Sequence, residues 1–189
     1  MKKIVLAVLT AATLFTMVGC KKADSKKFVL GLDASFPPMG FTEADGSIVG
    51  YDIDLAKEVS KRLGLEFVAK PIDWNAKEME LSSGSIDCIW NGFTITDERI
   101  NSMSFTPAYL NNDQVLVVRA KSGIKTLAEA KGITVACQAG SSAEEAINDN
   151  KEFADSLKAV VYYEENLTAL TDLKVGSVDG VVMDSIVAR

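Results

Sequence analysis

One pattern occurs twice in this chain, and the repetition constrains its fold more than any other feature. Leu81-x-x-Gly84-Ser85-Ile86-Asp87-Cys88-Ile89 is matched by Leu173-x-x-Gly176-Ser177-Val178-Asp179-Gly180-Val181. Each copy reads as a helix end, a glycine stop and a buried strand. The segments ahead of the two copies match as well. In the first half they are a strand over 28–32, a helix over 53–63 with Leu55, Val59 and Leu63 on one face, a stop at Gly64, a strand over 66–70 and a helix through Met79 and Leu81. In the second half they are a strand over 133–137, a helix over 143–150, a strand over 158–162 and a helix over 167–175. Each half is a βαβαβ unit, so its strands run parallel.

The sequence accordingly predicts an α/β chain of two Rossmann-like lobes, 28–113 and 120–189. The run Gln-Val-Leu-Val-Val-Arg at 114–119 connects them, with a hinge near 109–115. Asp45-Gly46 between Phe41-Thr42 and Ile48-Val49 predicts a hairpin inside the first lobe. Thr126-x-x-Glu129 and Ser142-x-x-Glu145 predict capping boxes, the second opening a helix directly after Gln138-Ala139-Gly140.

Open parallel sheets bind ligands beyond the C-terminal ends of their strands. The residues there are Asp33 and Phe36, Trp74, Asn91 to Thr94, Gln138 to Ser142, and Asp184. The richest stretch is 84–99, where an apolar strand runs into Asn91-Gly92-Phe93-Thr94. Thr96 then caps a turn that opens on Asp97 and Glu98 and presents Arg99, whose planar fork suits a carboxylate. Free amides near Ser141 and Ser142 favour an anion, whereas Asp184 and Asp33 favour a cation, and opposed charges suit a zwitterion. Phe36 and Trp74 supply flat apolar walls. Each residue also has a plainer role open to it. Arg99 can be a solvated helix arginine paired with Asp97 or Glu98, Thr94 and Thr96 can be caps, the two aromatics can be packing groups, and Asp184 can cap a helix beginning at Ser185. Convergence of five strand ends on complementary chemistry favours a small-molecule site.

Lys2 and Lys3 precede an apolar run over 4–18 that is too short to span a membrane and ends at Gly19-Cys20, which predicts a secretory signal over 1–19. The charged stretch over 20–27 reads as a tether. Cleavage after Gly19 removes two of the 20 basic residues and none of the 26 acidic ones, leaving 18 against 26 and a net charge of −8. Nucleic acid is excluded as a partner on that balance. Cys88 and Cys137 each sit inside an apolar run; a disulfide is conceivable in an exported chain, and small buried hydrophobes are the simpler reading. The chain has no histidine and no cysteine beside a base partner at a strand end, which gives nucleophilic chemistry little support, while carboxylates alone could still serve acid catalysis; no cofactor or metal is called for.

With these residues in place, the chain over 28–189 resembles the extracytoplasmic solute-binding proteins of polar amino-acid ABC transporters. The most specific pieces are Gly31-Leu-Asp33-Ala-Ser-Phe36-Pro-Pro-Met, Gly50-Tyr-Asp-Ile-Asp-Leu-Ala56, Asn91-Gly-Phe-Thr-Ile-Thr-Asp-Glu-Arg99, Phe105-Thr-Pro-Ala-Tyr109, Gln138-Ala-Gly140-Ser-Ser142 and Val178-Asp-Gly-Val-Val-Met-Asp184. The resemblance implies the type II periplasmic binding protein fold and a monomer that takes an L-amino acid, neutral polar or basic, to a membrane permease. It implies that Arg99 clamps the ligand α-carboxylate with backbone near Thr94 and Ser142. Asp184 holds the α-ammonium with the Gly92 carbonyl and the Thr94 hydroxyl. Phe36 and Trp74 sandwich the ligand, and Asp33, Asn91 and Gln138 read its side chain, with Ser141 at the same turn. Met17-Val18-Gly19-Cys20 resembles the lipobox of bacterial lipoproteins, with Met17 in place of the usual leucine, which implies a cell-envelope protein anchored through lipid on Cys20. Family members continue past the second-lobe aspartate and cross back to the first lobe, so a chain ending at Arg189 is expected to be incomplete at its C-terminus. Two other readings are an exported enzyme on the same fold, similar to dehydratases of cyclic aromatic-amino-acid precursors, and a ligand-sensing module.

Overall fold

The computed structural model describes residues 26–189; the expected signal over 1–19, Cys20 and most of the tether lie outside the described residues. The elements are β1 (Lys27–Leu32), β2 (Ser35–Phe36), β3 (Gly40–Thr42), β4 (Ile48–Val49), α1 (Tyr51–Leu63), β5 (Glu66–Pro71), α2 (Lys77–Ser82), β6 (Cys88–Ile89) and α3 (Asp97–Ser102). After them come β7 (Gln114–Val118), β8 (Thr134–Gln138), α4 (Ser142–Asp149), α5 (Lys151–Ser156), β9 (Ala159–Tyr163), α6 (Asn166–Val175) and β10 (Gly180–Asp184).

The two halves have one topology. In the first, β1 lies between β5 and β6, all parallel. In the second, β8 lies between β9 and β10, again parallel. Each sheet thus sets its first strand at the centre, flanked by the second and third. The repeated aspartate shows why the sequence pattern recurs. Asp87 donates its amide to the Val29 carbonyl (2.8 Å) and accepts from the Val29 amide through Oδ2 (2.7 Å). Asp179 does the same with Thr134, at 2.8 and 2.9 Å. The side chain extends the ladder where the third strand has not yet begun. The first strand of this kind is shorter than the sequence suggests, since only Cys88 and Ile89 pair as a ladder within the expected 86–90.

Strand side chains alternate between faces, and in the second lobe both faces are covered. Val135, Cys137 and Val182 pack with Ala143, Ile147 and Phe153 on one side. Ala136, Val181 and Met183 pack with Ala169 and Leu173 on the other. The first lobe buries Leu30 and Leu32 against Ile53 and Ala56 of α1, at roughly 1.5–3 kcal/mol for each large side chain. Cys88 and Cys137 are free thiols in these layers, as the simpler reading expects, and burial pushes both up to about 12. The hairpin at Asp45-Gly46 joins β3 to β4, with Thr42 opposite Ile48.

The expected connector needs correction. Gln114–Val118 is the antiparallel edge strand of the second sheet, paired along β10 from Gln114 opposite Asp184 to Val118 opposite Gly180. A run of Val-Leu-Val-Val gains more by burying its side chains in a sheet than by bridging two lobes. The chain crosses instead through 103–113, between α3 and β7. No helix among the described residues is long and apolar enough to cross a membrane.

Candidate functional site

The strand ends of both sheets face one cleft of about 290 Å³, open solvent included. Asp33 follows β1, Phe36 lies in β2, Trp74 opens the 3-10 turn after β5, and Asn91, Gly92 and Thr94 follow β6. Arg99 is in α3, Gln138 ends β8, Ser141 and Ser142 open α4, and Asp184 ends β10. All eleven residues singled out in the sequence line this cleft, and Phe93 joins them.

Arg99 is 6% exposed. Its guanidinium donates to the Thr94 carbonyl (2.9 Å) and to the Gly140 carbonyl of the opposite lobe (3.4 Å), and lies 4.4 Å over the Phe93 ring. None of the ion pairs among the described residues includes it. Thr96 caps α3 as expected, accepting from the Arg99 amide. Burial pulls the guanidinium below its ordinary value, opposed by the carboxylates of Glu145, Glu78, Asp184 and Glu98. Neither Asp97 nor Glu98 pairs with it, so the plain surface role is not what the fold gives it.

Asp184, 7% exposed, accepts from Gln114 Nε2 (2.8 Å) and from Asn112 Nδ2. Burial pushes its carboxyl up, and those two bonds and the Arg99 charge pull it back. Asp33 accepts from Ser35 through Oδ1 and from Gln138 Nε2 across the cleft through Oδ2 (2.7 Å), while Asn91 Oδ1 accepts from the Asp33 amide. Trp74 meets Phe93 edge to face at 5.6 Å, and Phe93 stacks on Phe105. The capping residue of α4 is Ser141, which accepts from the Glu144 amide; Glu144 in turn accepts from Gly140. The expected box at Ser142 does not form: the cap lies one residue earlier, and Glu144 reaches the Gly140 amide rather than that of the capping serine. That leaves the Ser142 hydroxyl to accept from Gln114 and donate to Thr94 of the first lobe.

Phe93 falls within the stretch 91–94 that the sequence places at a strand end, without a role of its own there. Lys77 gave no signal beyond its place one turn after Trp74. It is 4% exposed, with its ammonium 5.4 Å from the Trp74 ring and 2.9 Å from the Gly140 carbonyl. Burial and Arg99 lower its pKa. Gly140 (φ +66°) makes this contact possible, since a Cβ there would stand 2.8 Å from Asn75 Oδ1 of the first lobe. The site as a whole balances Arg99 and Lys77 against Asp33 and Asp184. Among the described residues no cluster of His, Cys, Asp and Glu is placed to hold a metal.

The model of bacterial extracellular solute-binding proteins, family 3, matches residues 28–181. The L-cystine-binding protein TcyJ of Escherichia coli is 33% identical over 170 residues, covering 89% of this chain; the chain spans 62% of that relative's length. A solved ABC uptake transporter substrate-binding protein from Streptococcus pneumoniae with bound histidine superposes at TM-score 0.83 with 41% identity, over 86% of this chain and 67% of that one. An ancestral amino-acid-binding protein, described as a precursor of cyclohexadienyl dehydratase, superposes at TM-score 0.80 with 31% identity, over 86% of this chain and 71% of its own.

Proposed function

The chain belongs to family 3 of the bacterial extracellular solute-binding proteins, and on that footing we propose that it binds an L-amino acid, neutral polar or basic, and delivers it to the permease of an ABC transporter. One observation carries the reading: a buried cation from the first lobe and a buried anion from the second, Arg99 and Asp184, face one cleft. Arg99 takes the α-carboxylate with help from the backbone near Thr94 and Ser142. Asp184 takes the α-ammonium with the Gly92 carbonyl and the Thr94 hydroxyl. Phe36 and Trp74 flank the ligand, and Asp33, Asn91 and Gln138 read its side chain.

The Asp33 carboxylate turns the choice away from acidic ligands, because a second buried carboxylate facing it would lie unpaired. Cystine and histidine, named for two of the similar proteins, are both zwitterions that meet this requirement. Binding rather than turnover is favoured because the chain has no histidine and its two described thiols, Cys137 buried and Cys88 half-buried, are both pushed up to about 12 by desolvation. Export and a lipid anchor on Cys20 complete the proposal; Cys20→Ala should release the protein from the membrane fraction, and a mature N-terminus at any other residue would refute the anchor.

Calorimetric titration with all proteinogenic L-amino acids and cystine tests the main reading. Micromolar binding or better, about −8 kcal/mol, is expected of one or more of them. Absence of binding together with turnover of prephenate or arogenate would establish the enzyme instead.

A further inference from the structure

The motif Gly50-Tyr-Asp-Ile-Asp-Leu holds two acids at the start of α1, with opposite fates. Asp54 is exposed, where an acid near a helix N-terminus is favourable and ordinary. Asp52 is 0% exposed. A carboxylate pays heavily for such burial unless its oxygens are met. Both are, and both bonds leave its own helix. Oδ2 accepts from the Gly92 amide at 2.6 Å, and Oδ1 accepts from the Tyr109 hydroxyl at 2.8 Å.

We propose that Asp52 is the positioning residue of the cleft, fixing the loop after β6 and tying it to the segment that crosses between the lobes. Gly92 stands at φ +58° and lines the cleft, so its conformation sets the direction in which Phe93 and Thr94 leave it. The Thr94 carbonyl in turn holds Arg99 at 2.9 Å, and the Phe93 ring lies beneath the same guanidinium. One buried carboxylate thus governs, through Gly92, the placement of the residue assigned to the ligand carboxylate. Tyr109 belongs to the crossing over 103–113, so the same group links that loop to the segment that joins the two lobes. Tyr109 also packs edge-on against Trp90, at 6.2 Å between ring centroids, which keeps its hydroxyl aimed at Asp52. Charge-assisted bonds to backbone and phenol are the strong kind and suit a hinge anchor.

The effect on affinity rests on the amino-acid reading above, whereas the anchoring does not. Two measurements separate them. Amide hydrogen exchange and NMR of the protein should show Gly92 protected and shifted downfield. Asp52→Leu, of similar shape and without an acceptor, should abolish both signatures, while Tyr109→Phe should leave them in place. Calorimetry with L-histidine, L-arginine, L-glutamine and L-cystine should show tenfold or greater weakening in Asp52→Leu and a two- to fivefold loss in Tyr109→Phe, of whichever probe the parent binds. If the parent binds none of the four, the amino-acid reading fails and the Gly92 amide alone decides the anchoring. Rapid exchange at Gly92 in the parent would overturn the proposal. So would a Gly92 signal that survives Asp52→Leu, or parental affinity in both variants. Should Asp52→Leu not fold, Tyr109→Phe with parental affinity is sufficient to refute the link to the crossing.

Discussion

Replacing Arg99 with methionine separates a binding residue from a structural one. The change keeps the length and apolar stem and deletes the charge. In the folded protein it removes a charged bond to the Thr94 carbonyl, about 1.5–3 kcal/mol, and the contact with Phe93, about 0.5–2 kcal/mol. Against that, a guanidinium 6% exposed with no carboxylate ion pair carries a desolvation cost of several kcal/mol that methionine does not. The terms nearly cancel, so stability should move by about 1 kcal/mol in either direction, roughly 2–4 °C in Tm for a chain of this size. Affinity has no such compensation. A ligand carboxylate left buried opposite methionine costs about 3–5 kcal/mol, a loss between about a hundredfold and a few thousandfold in Kd. Calorimetric titration beside a thermal melt of each variant reads both quantities. Binding within threefold of the parent, or a melting loss that accounts for the affinity loss, would show that Arg99 serves the fold rather than a ligand.

Arg99→Lys should also lose an order of magnitude or more in affinity with little change in Tm, because a point ammonium cannot give two parallel bonds to one carboxylate; unaltered titration would contradict it. Asp184→Asn should weaken amino-acid binding and the ligand-induced compaction seen by small-angle scattering. Because folding raises the Asp184 pKa, its stabilising contribution is fully present below the unfolded value and is lost as pH rises through the folded value. The Tm of the parent relative to Asp184→Asn should therefore climb as pH falls from about 7 to about 4, while parental affinity declines over the same range because only the ionised group pairs with an ammonium; parallel trends would be contrary to this assignment. Gly140→Ala should cost about 1 kcal/mol through its left-handed backbone, and affinity should fall only a few fold, since the exposed Asn75 side chain can swing away from the new Cβ. A melt equal to the parent's would disprove that account.

The cleft was legible because its residues follow strand ends, and strand ends are marked by local signals: a run of apolar residues, then glycine and hydroxyls. Gly84 and Gly176 announced where the third strand of each lobe begins, and Thr96 announced the turn that carries Arg99. Lys77 was not legible. On its own helix it looks like any solvated lysine, and its burial comes from groups the local sequence does not announce, the Trp74 ring and the Gly140 turn of the other lobe. The role of Gln114–Val118 was misjudged because an apolar run of that length states that it will be buried, without stating in which sheet. Ser141 and Ser142 both satisfy the capping preference, and the choice between them falls to Gln114 and Thr94, which engage the hydroxyl that is left over.

The paired aspartates also bear on how the chain finds its fold. Each closes a crossover by gripping the first strand of its own lobe, over 58 residues for Asp87 and 45 for Asp179. The entropy of closing such loops rises only with the logarithm of their length, so the two closures differ by about 0.2 kcal/mol. Neither lobe is thus kinetically privileged by its connectivity. The order in which they assemble falls to the order of synthesis, and the first sheet can lock while the second is still being made.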